Sequence, residues 1–394
     1  MKSSVENGKI KIFLEGRINT NNSAEIEKKI FEICEVNTGL TPEFDAAALE
    51  YISSTGLRVL LKTSKSSGKK IRIVNTSKEI YEIFETTGFT NIFDVHKVMR
   101  EISVDGCEMI GSGGYGKVYR IDEETIVKLY LPSVSPEMVQ QERDTAQKAF
   151  LLGVPTAISY DVVKCGECTG AVFELLNART VAQVIDSEPE RVQEMGRKSA
   201  SLLKQLHKIE VKDDSFPNRK KEFLEWAERM KPFVTPEENA EIVSFINSIP
   251  DKNIFLHGDF NSKNVMVQND EFVLIDIGDA AVGHPVFDLA GLLLAYIYLP
   301  NSPMPDYEKY RLLGFPLENA KAMLESMIST YFEISDPSEI QKKIMEIMPY
   351  ANMLASYHGA RRSNYAPEYI PMVVENVVRK KLLPSIRTAS SLDW

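Results

Sequence analysis

Cysteine is scarce in this chain: Cys34, Cys107, Cys165 and Cys168 are the only four in 394 residues. Four thiols cannot staple a fold of that size, so the core must supply the stability, and such usage fits a reducing compartment. Long apolar runs are missing too. The longest nearly uncharged stretch, Leu289 to Leu299, has 11 residues, well short of the roughly 20 that cross a bilayer. The opening MKSSVENGKIKIF scatters its charges and lacks the apolar block of a secretory signal. A soluble cytoplasmic protein is the expectation. There is no positive surplus either. Lys+Arg number 46 against 56 Asp+Glu, a net charge of −10, which disfavours nucleic acid or a membrane surface as a partner bound through net charge. No internal repeat or low-complexity tract appears.

What is present is the ordinary globular balance, 43% hydrophobic and 26% charged residues. The length corresponds to two or three domains of roughly 150 residues each. Residues 1–104 hold 15 Lys+Arg and 14 Asp+Glu, whereas residues 105–394 hold 31 and 42, so the chain divides in charge near residue 104. Before that point KIKIFL at 9–14 alternates as a half-buried strand does, and Ile26, Ile30, Ile33 and Cys34 recur at helical spacing, with Ser23 as the cap. A strand around Phe44–Leu49, a helix over Gly56–Ser66 and a strand at 70–74 follow. Thr76-Ser-Lys-Glu79 has capping-box spacing and opens a helix ending near Gly88. Alternating strands and helices predict an α/β first domain, with the joint at Met99–Gly106. Beyond it, strands with a glycine-rich turn (Met109–Leu129), a helix over Pro136–Leu152, strands around Ala157–Val163 and Ala171–Leu175, and a mainly helical remainder predict a small β-rich lobe and a larger helical lobe. A short strand pair is expected within His257–Ile277.

The chemistry concentrates in the second part. Gly111, Gly113 and Gly116, with Val118, form a GxGxxGxV run; glycines so placed let backbone approach phosphates, or simply turn a hairpin. Ile126-Val-Lys128-Leu sets a lysine in an apolar strand, where an ammonium needs a partner. Glu142 shares a helix face with Val139, Ala146 and Ala149, so its carboxylate points toward the core side. The plain alternative is a snorkelling lysine and a solvated glutamate. His257-Gly-Asp259-Phe-Asn-Ser-Lys-Asn264 and Val273-Leu-Ile-Asp276-Ile-Gly278 follow. A carboxylate five residues before an amide, then an aspartate after a buried strand, is what metal-assisted phosphoryl transfer requires. Asp259 orients or deprotonates a hydroxyl, and Asn264 and Asp276 supply hard oxygens for Mg²⁺.

On these motifs residues 105–394 resemble the aminoglycoside phosphotransferase and choline kinase branch of the protein-kinase-like fold. HGDFNSKN is similar to that family's H-G-D-x-x-x-x-N loop and LIDIG to its I-D-x-G; Leu202-Leu-Lys-Gln-Leu-His207-Lys-Ile looks like the helix ahead of the loop. The resemblance implies an N-lobe over about 105–175 and a C-lobe over about 176–394. It further implies ATP and Mg²⁺ as cofactors, Lys128 on the α/β-phosphates, Glu142 fixing Lys128, Asp259 as catalytic base, and Asn264 and Asp276 on the metal. Phe173-Glu174-Leu175 resembles the linker strand whose backbone pairs with adenine. Two positions depart: His284 stands in Gly283-His-Pro285-Val-Phe-Asp288-Leu-Ala where the family usually has Asp, and Ala178 follows the linker where Gly is common.

Residues 1–104 resemble a STAS domain of the anti-sigma-factor-antagonist kind, through Leu14-Glu-Gly-Arg17-Ile, Ile52-Ser-Ser54-Thr-Gly56-Leu57 and Glu85-Thr-Thr-Gly88-Phe. The resemblance implies Ser54 as a phosphoacceptor and an anti-sigma-factor-like partner. Physically, a serine at a helix N-terminus either caps it or places a phosphate on exposed amides. Lys62, Lys65, Lys69, Lys70 and Arg72 form a basic stretch, a solvated face or a docking surface for an acidic partner. Cys165-Gly-Glu-Cys168 supplies two of the four ligands of a structural zinc and fits a hairpin turn; His96, His207 and His358 are isolated. The tyrosines of Ala295–Tyr298 and Tyr365–Tyr369 line an acceptor pocket or pack the helical lobe.

The expected fold class is α/β and α+β: a STAS-like domain, then a bilobal protein-kinase-like fold. The expected function is an ATP- and Mg²⁺-dependent phosphotransferase on a small-molecule hydroxyl, coupled to the first domain; the charge of the second part would suit a cationic acceptor. Two alternatives remain open. One is a protein serine kinase acting on a STAS domain, its own Ser54 or a partner's. The other is a signalling module that binds nucleotide without chemistry.

Overall fold

In Lys9–Ile18, Ile10, Ile12, Leu14 and Ile18 are buried while residues between them face outward. That alternation makes the strand one layer of a half-covered sheet. Thr41–Ile52, Arg72–Thr76 and Asp94–Lys97 join it in parallel, and Ser3–Glu6 pairs antiparallel with its outer edge. The helices Ser23–Val36, Ser54–Ser67 and Lys78–Thr86 make the crossovers. Ile30, Leu57, Leu60, Ile80 and Phe84 close the core against Phe44, Ile52, Ile73 and Phe93. The computed structural model describes residues 1–6, 8–68, 70–114, 116–268, 271–362, 366–392 and 394; Lys69, Tyr115 and Tyr365 of the sequence expectations lie outside them. By its internal contacts the chain falls into two units, Met1–Ser103 and Val104–Trp394.

Three helix starts differ from expectation. Asn22, not Ser23, precedes the first helix, and its amide turns back to the Arg17 carbonyl (2.7 Å) to close the preceding turn. Ser53 caps the second helix, accepting from the Gly56 amide, which leaves Ser54 as its first helical residue, exposed. Ser77 rather than Thr76 caps the third, because the Thr76 hydroxyl donates to the His96 carbonyl instead (2.9 Å). Ser3–Glu6 and Asp94–Lys97 were not anticipated.

In Val104–Trp394 the first layer is an antiparallel sheet in the order Ser159–Cys165, Cys168–Glu174, Thr125–Tyr130, Gly116–Arg120, Glu108–Ser112. Helix Pro136–Leu151, capped by Ser135, crosses it. Cys165 and Cys168 face each other across a turn with Gly166 at φ +58°, and all four cysteines are free. The helical part follows, with Val192–Leu206 against Asn319–Phe332 and Pro337–Arg362 against Val286–Leu293. The hairpin Val265–Gln268/Glu271–Leu274 is the expected strand pair; a second pair, Ile254–Leu256 with Ala281–Gly283, was not foreseen. Among the described residues no helix is long and apolar enough to cross a membrane.

Gly56 explains how tightly the second helix sits. A methyl there would lie 2.7 Å from both Ile18 Cγ2 and Ile52 Cγ1. Alanine gains about 1 kcal/mol in helix propensity, but overpacking of a filled core costs ~1–3 kcal/mol. Gly56→Ala should therefore lower the urea midpoint of the first unit's unfolding; a raised midpoint would show that the helix moves aside freely.

Candidate active site

The glycine-rich turn joins Glu108–Ser112 to Gly116–Arg120, with the Gly113 amide donating to the Gly116 carbonyl (2.9 Å). A side chain at Gly113 or Gly114 would meet nothing within 4 Å, so the turn's edge is open. One at Gly116 would run into the Leu129 carbonyl, so the neighbouring strand requires glycine there. Gly111 lies opposite Val118 in register.

Lys128 stands on Thr125–Tyr130 between Val118 and Ala171. Its ammonium donates to Glu142 Oε1 at 2.8 Å and to Asp276 Oδ1 at 2.7 Å. Burial would lower the lysine pKa, but Asp276 and Glu142 outweigh it and hold the ammonium charged. Gly278 makes this possible: a Cβ there would sit 2.9 Å from Glu142 Cγ. Asp276 itself adopts left-handed backbone (φ +61°), an unusual conformation for a non-glycine residue, at the entry to the turn Ile277–Asp279.

Asp259 and Asn264 lie on the loop between Ile254–Leu256 and Val265–Gln268. The Asn264 amide donates to Asp259 Oδ2 (3.0 Å) and to its carbonyl (2.9 Å), and Asn261 donates to Oδ1 (3.1 Å). Asp259 keeps an exposed side chain, yet the protein crowded around it raises its pKa. The carboxylates of Asp276 and Asp279 add to that shift, while the hydrogen bond from Asn261 opposes it. Gly258 (φ +85°) presses on the Asp279 carbonyl so closely that no side chain fits. The fold thus gathers Lys128, Glu142, Asp259, Asn264 and Asp276 into one region. Ser54 belongs to the first unit, exposed at its helix start.

The sequence model of the APH phosphotransferase enzyme family matches residues 107–322, more than half of the chain. The chain belongs to this phosphotransferase family. It is a kinase, and a STAS domain model matches residues 2–103. Similar solved structures include the gentamicin–APH(2'')-IIa complex (19% identity, 78% of this chain and 98% of that one, TM-score 0.45). Others are the amicoumacin kinase hAmiN in complex with AMP-PNP, Ca²⁺ and Ami (12%, 77% and 94%, 0.46) and a choline/ethanolamine kinase family protein from Mesorhizobium loti (14%, 72% and 92%, 0.43). No curated protein sequence matches the chain.

In the phosphotransferase unit the linker is partly occupied by the fold itself. The Glu174 amide donates to the Ile158 carbonyl (2.9 Å) and the Leu175 amide to the Glu124 carbonyl (2.7 Å). Those two N–H groups are therefore engaged within the unit itself. Beyond them Leu176–Arg179, with Val267 and Gln268, line a concavity of about 450 Å³.

Residues to which the sequence assigned no site role hold the Asp259 loop from behind. Asp288, 2% exposed, accepts from the His257 amide (2.9 Å), the Gly258 amide (2.8 Å) and His207 Nε2 (3.1 Å). Burial works against its charge, but these donors hold the carboxyl below its usual range. His207 is in turn fixed by the Tyr331 hydroxyl, 2.7 Å from Nδ1. A carboxylate inside the apolar run VFDLAGLL was the signal, since a buried charge there must have partners. Tyr296 is buried and its hydroxyl accepts from the Ser262 amide (3.0 Å), so this tyrosine packs and supports the loop. His284 also has a local reason: Nδ1 accepts from the Val286 amide and Nε2 donates to the Trp394 carbonyl (2.9 Å).

An amide at 288 would present a donor to donors. A buried polar group left unsatisfied costs ~1–3 kcal/mol, so Asp288→Asn should lower the urea midpoint of the second unit and cut phosphotransfer more than about tenfold. Unchanged stability and turnover would show that the loop holds its shape without this carboxylate.

Proposed function

We propose that the chain is an ATP- and Mg²⁺-dependent phosphotransferase whose acceptor is a hydroxyl on a small molecule, with the STAS domain as its regulatory part. The observation that carries this reading is the Lys128 ammonium held between Glu142 and Asp276, with the Asp259–Asn264 pair beside it. In this reading Lys128 binds the α/β-phosphates and Glu142 keeps it aimed. Gly111, Gly113, Gly116 and Val118 form the turn over the phosphates.

The donor set fits a hard cation. Asn264 directs its NH₂ to Asp259, which leaves its carbonyl oxygen for a metal, and Asp276 offers a carboxylate. Among the described residues no three His, Cys, Asp or Glu side chains cluster as a cage. Such sparse protein ligation suits Mg²⁺, which keeps waters and takes phosphate oxygens. Bound there, Mg²⁺ would neutralise charge on the transferring phosphoryl group. Asp259, with its two oxygens positioned by Asn261 and Asn264, accepts the proton of the acceptor hydroxyl as that oxygen attacks the γ-phosphorus. The bond to the β-bridging oxygen breaks and ADP leaves.

Lys128→Ala should keep the fold, monitored by circular dichroism, while ATP turnover falls at least about a hundredfold, the scale of losing a transition-state charge contact. Near-normal turnover would remove the lysine from its assigned role. Thermal denaturation with ATP should show a rise in Tm that is larger with Mg²⁺ than without, because a ligand of the native state stabilises by mass action; identical shifts would count against the metal site. Mapping label from ATP separates the acceptors. Label on Ser54 that disappears in Asp259→Ala identifies a protein kinase, and ATP binding without any turnover identifies the signalling module.

A further inference from the structure

One wall beside Asp259 carries basic groups that the phosphotransferase reading does not use. Asp279 lies three residues beyond Asp276, and its backbone touches Gly258 of the catalytic loop. Its carbonyl oxygen accepts from Arg219 (2.6 Å), a buried guanidinium that also binds Glu222 (2.8 Å). Its carboxylate is met by Arg361 from the end of helix Pro337–Arg362, at 3.4 Å. Both partners of that ion pair are about half exposed, at 53% and 52%. Arg362 is exposed next to it. His358, one turn earlier, is pulled down to about 4 by burial and by Arg362, Arg219 and Arg361.

Arg219 is committed to the fold, but Arg361 is not. A contact of 3.4 Å between two half-exposed groups is weak, so an incoming anion replaces it at little cost. A guanidinium presents a planar fork of donors that suits a carboxylate or a phosphate. The Asp279 carbonyl packs against Gly258, the residue before Asp259, and Arg361 meets the Asp279 carboxylate, so this fork stands beside the loop that an acceptor must approach to bring a hydroxyl to Asp259.

We propose that the acceptor is a hydroxyl compound bearing an anionic group, a carboxylate or a phosphate, which Arg361 and Arg362 bind while its hydroxyl meets Asp259. This rests on the phosphotransferase reading and names its substrate class. The acceptor O–H proton passes to Asp259, the acceptor oxygen bonds to the γ-phosphorus of ATP, and the bond to ADP breaks.

The test is ADP release by the full chain with Mg²⁺ and ATP, over size-matched acceptors: hydroxy acids, sugar phosphates, neutral polyols and cationic amino alcohols. Turnover should be confined to one or both anionic sets, and which of them responds tells carboxylate from phosphate. For the best anionic acceptor Arg361→Gln should raise KM at least about tenfold, as loss of a charged hydrogen bond does, with kcat within about threefold; Arg361→Lys should restore part of it. Preference for neutral or cationic acceptors, or an unchanged KM in Arg361→Gln, overturns the proposal while leaving the phosphotransferase reading in place. No stimulation by any set, with Asp259-dependent label on the protein, overturns the small-molecule reading and this proposal together.

Discussion

One ammonium ties together three pieces of chain that lie far apart in sequence. Glu142 is 14 residues from Lys128 and Asp276 is 148, yet each carboxylate meets the same Nζ. A lysine placed in an apolar strand is unfavourable until it is paired. Pairing it twice fixes the helix Pro136–Leu151 and the turn Ile277–Asp279 against the sheet. Several local oddities follow from that constraint. Gly278 has no side chain because Glu142 fills the space, and Asp276 takes left-handed backbone at the entrance to its turn. Gly116 is bare because the strand carrying Lys128 runs directly beneath it.

A second centre, Asp288, does for the Asp259 loop what Lys128 does for the sheet. It is a buried charge, costly on its own, and its remedy is to collect the amides of His257 and Gly258 and the ring of His207. His257 and Gly258 are the residues immediately before Asp259, so burial energy is converted into a fixed loop geometry. The Tyr296 hydroxyl holds Ser262 from the other end. The exposed Asp259 can therefore be well placed without being enclosed.

The alternating strands, the glycine spacing and the HGD-to-Asn interval were legible because each depends on neighbours within a few residues. Helix starts were less so. Where Ser53 and Ser54, or Thr76 and Ser77, stand side by side, either side chain could cap, and tertiary partners such as the His96 carbonyl decide. Ser3–Glu6 and Asp94–Lys97 are short edge strands with little pattern of their own. His207 looked isolated because its carboxylate lies 81 residues away. Within the basic stretch of the first unit, Lys62 pairs with Glu27 at 2.7 Å and Arg72 lies near Glu43 and Asp94, partners far from them in sequence. The linker backbone shows the converse, since a motif that matches in sequence has two of its amides engaged by Ile158 and Glu124.

Net charge was the weakest of the sequence arguments, and physics explains why. The surplus of acid in residues 105–394 is spread over a surface much wider than the screening length of about 8–10 Å. An acceptor reads only the groups it approaches. Near the loop, Asp276 is already satisfied by Lys128, Asp259 is engaged by Asn261 and Asn264, and Glu222 by Arg219. Arg361, met by Asp279 at 3.4 Å, and Arg362 stand exposed at the end of a helix whose last turn is basic. A molecule that is acidic on average thus still carries a cluster of arginines beside the Asp259 loop.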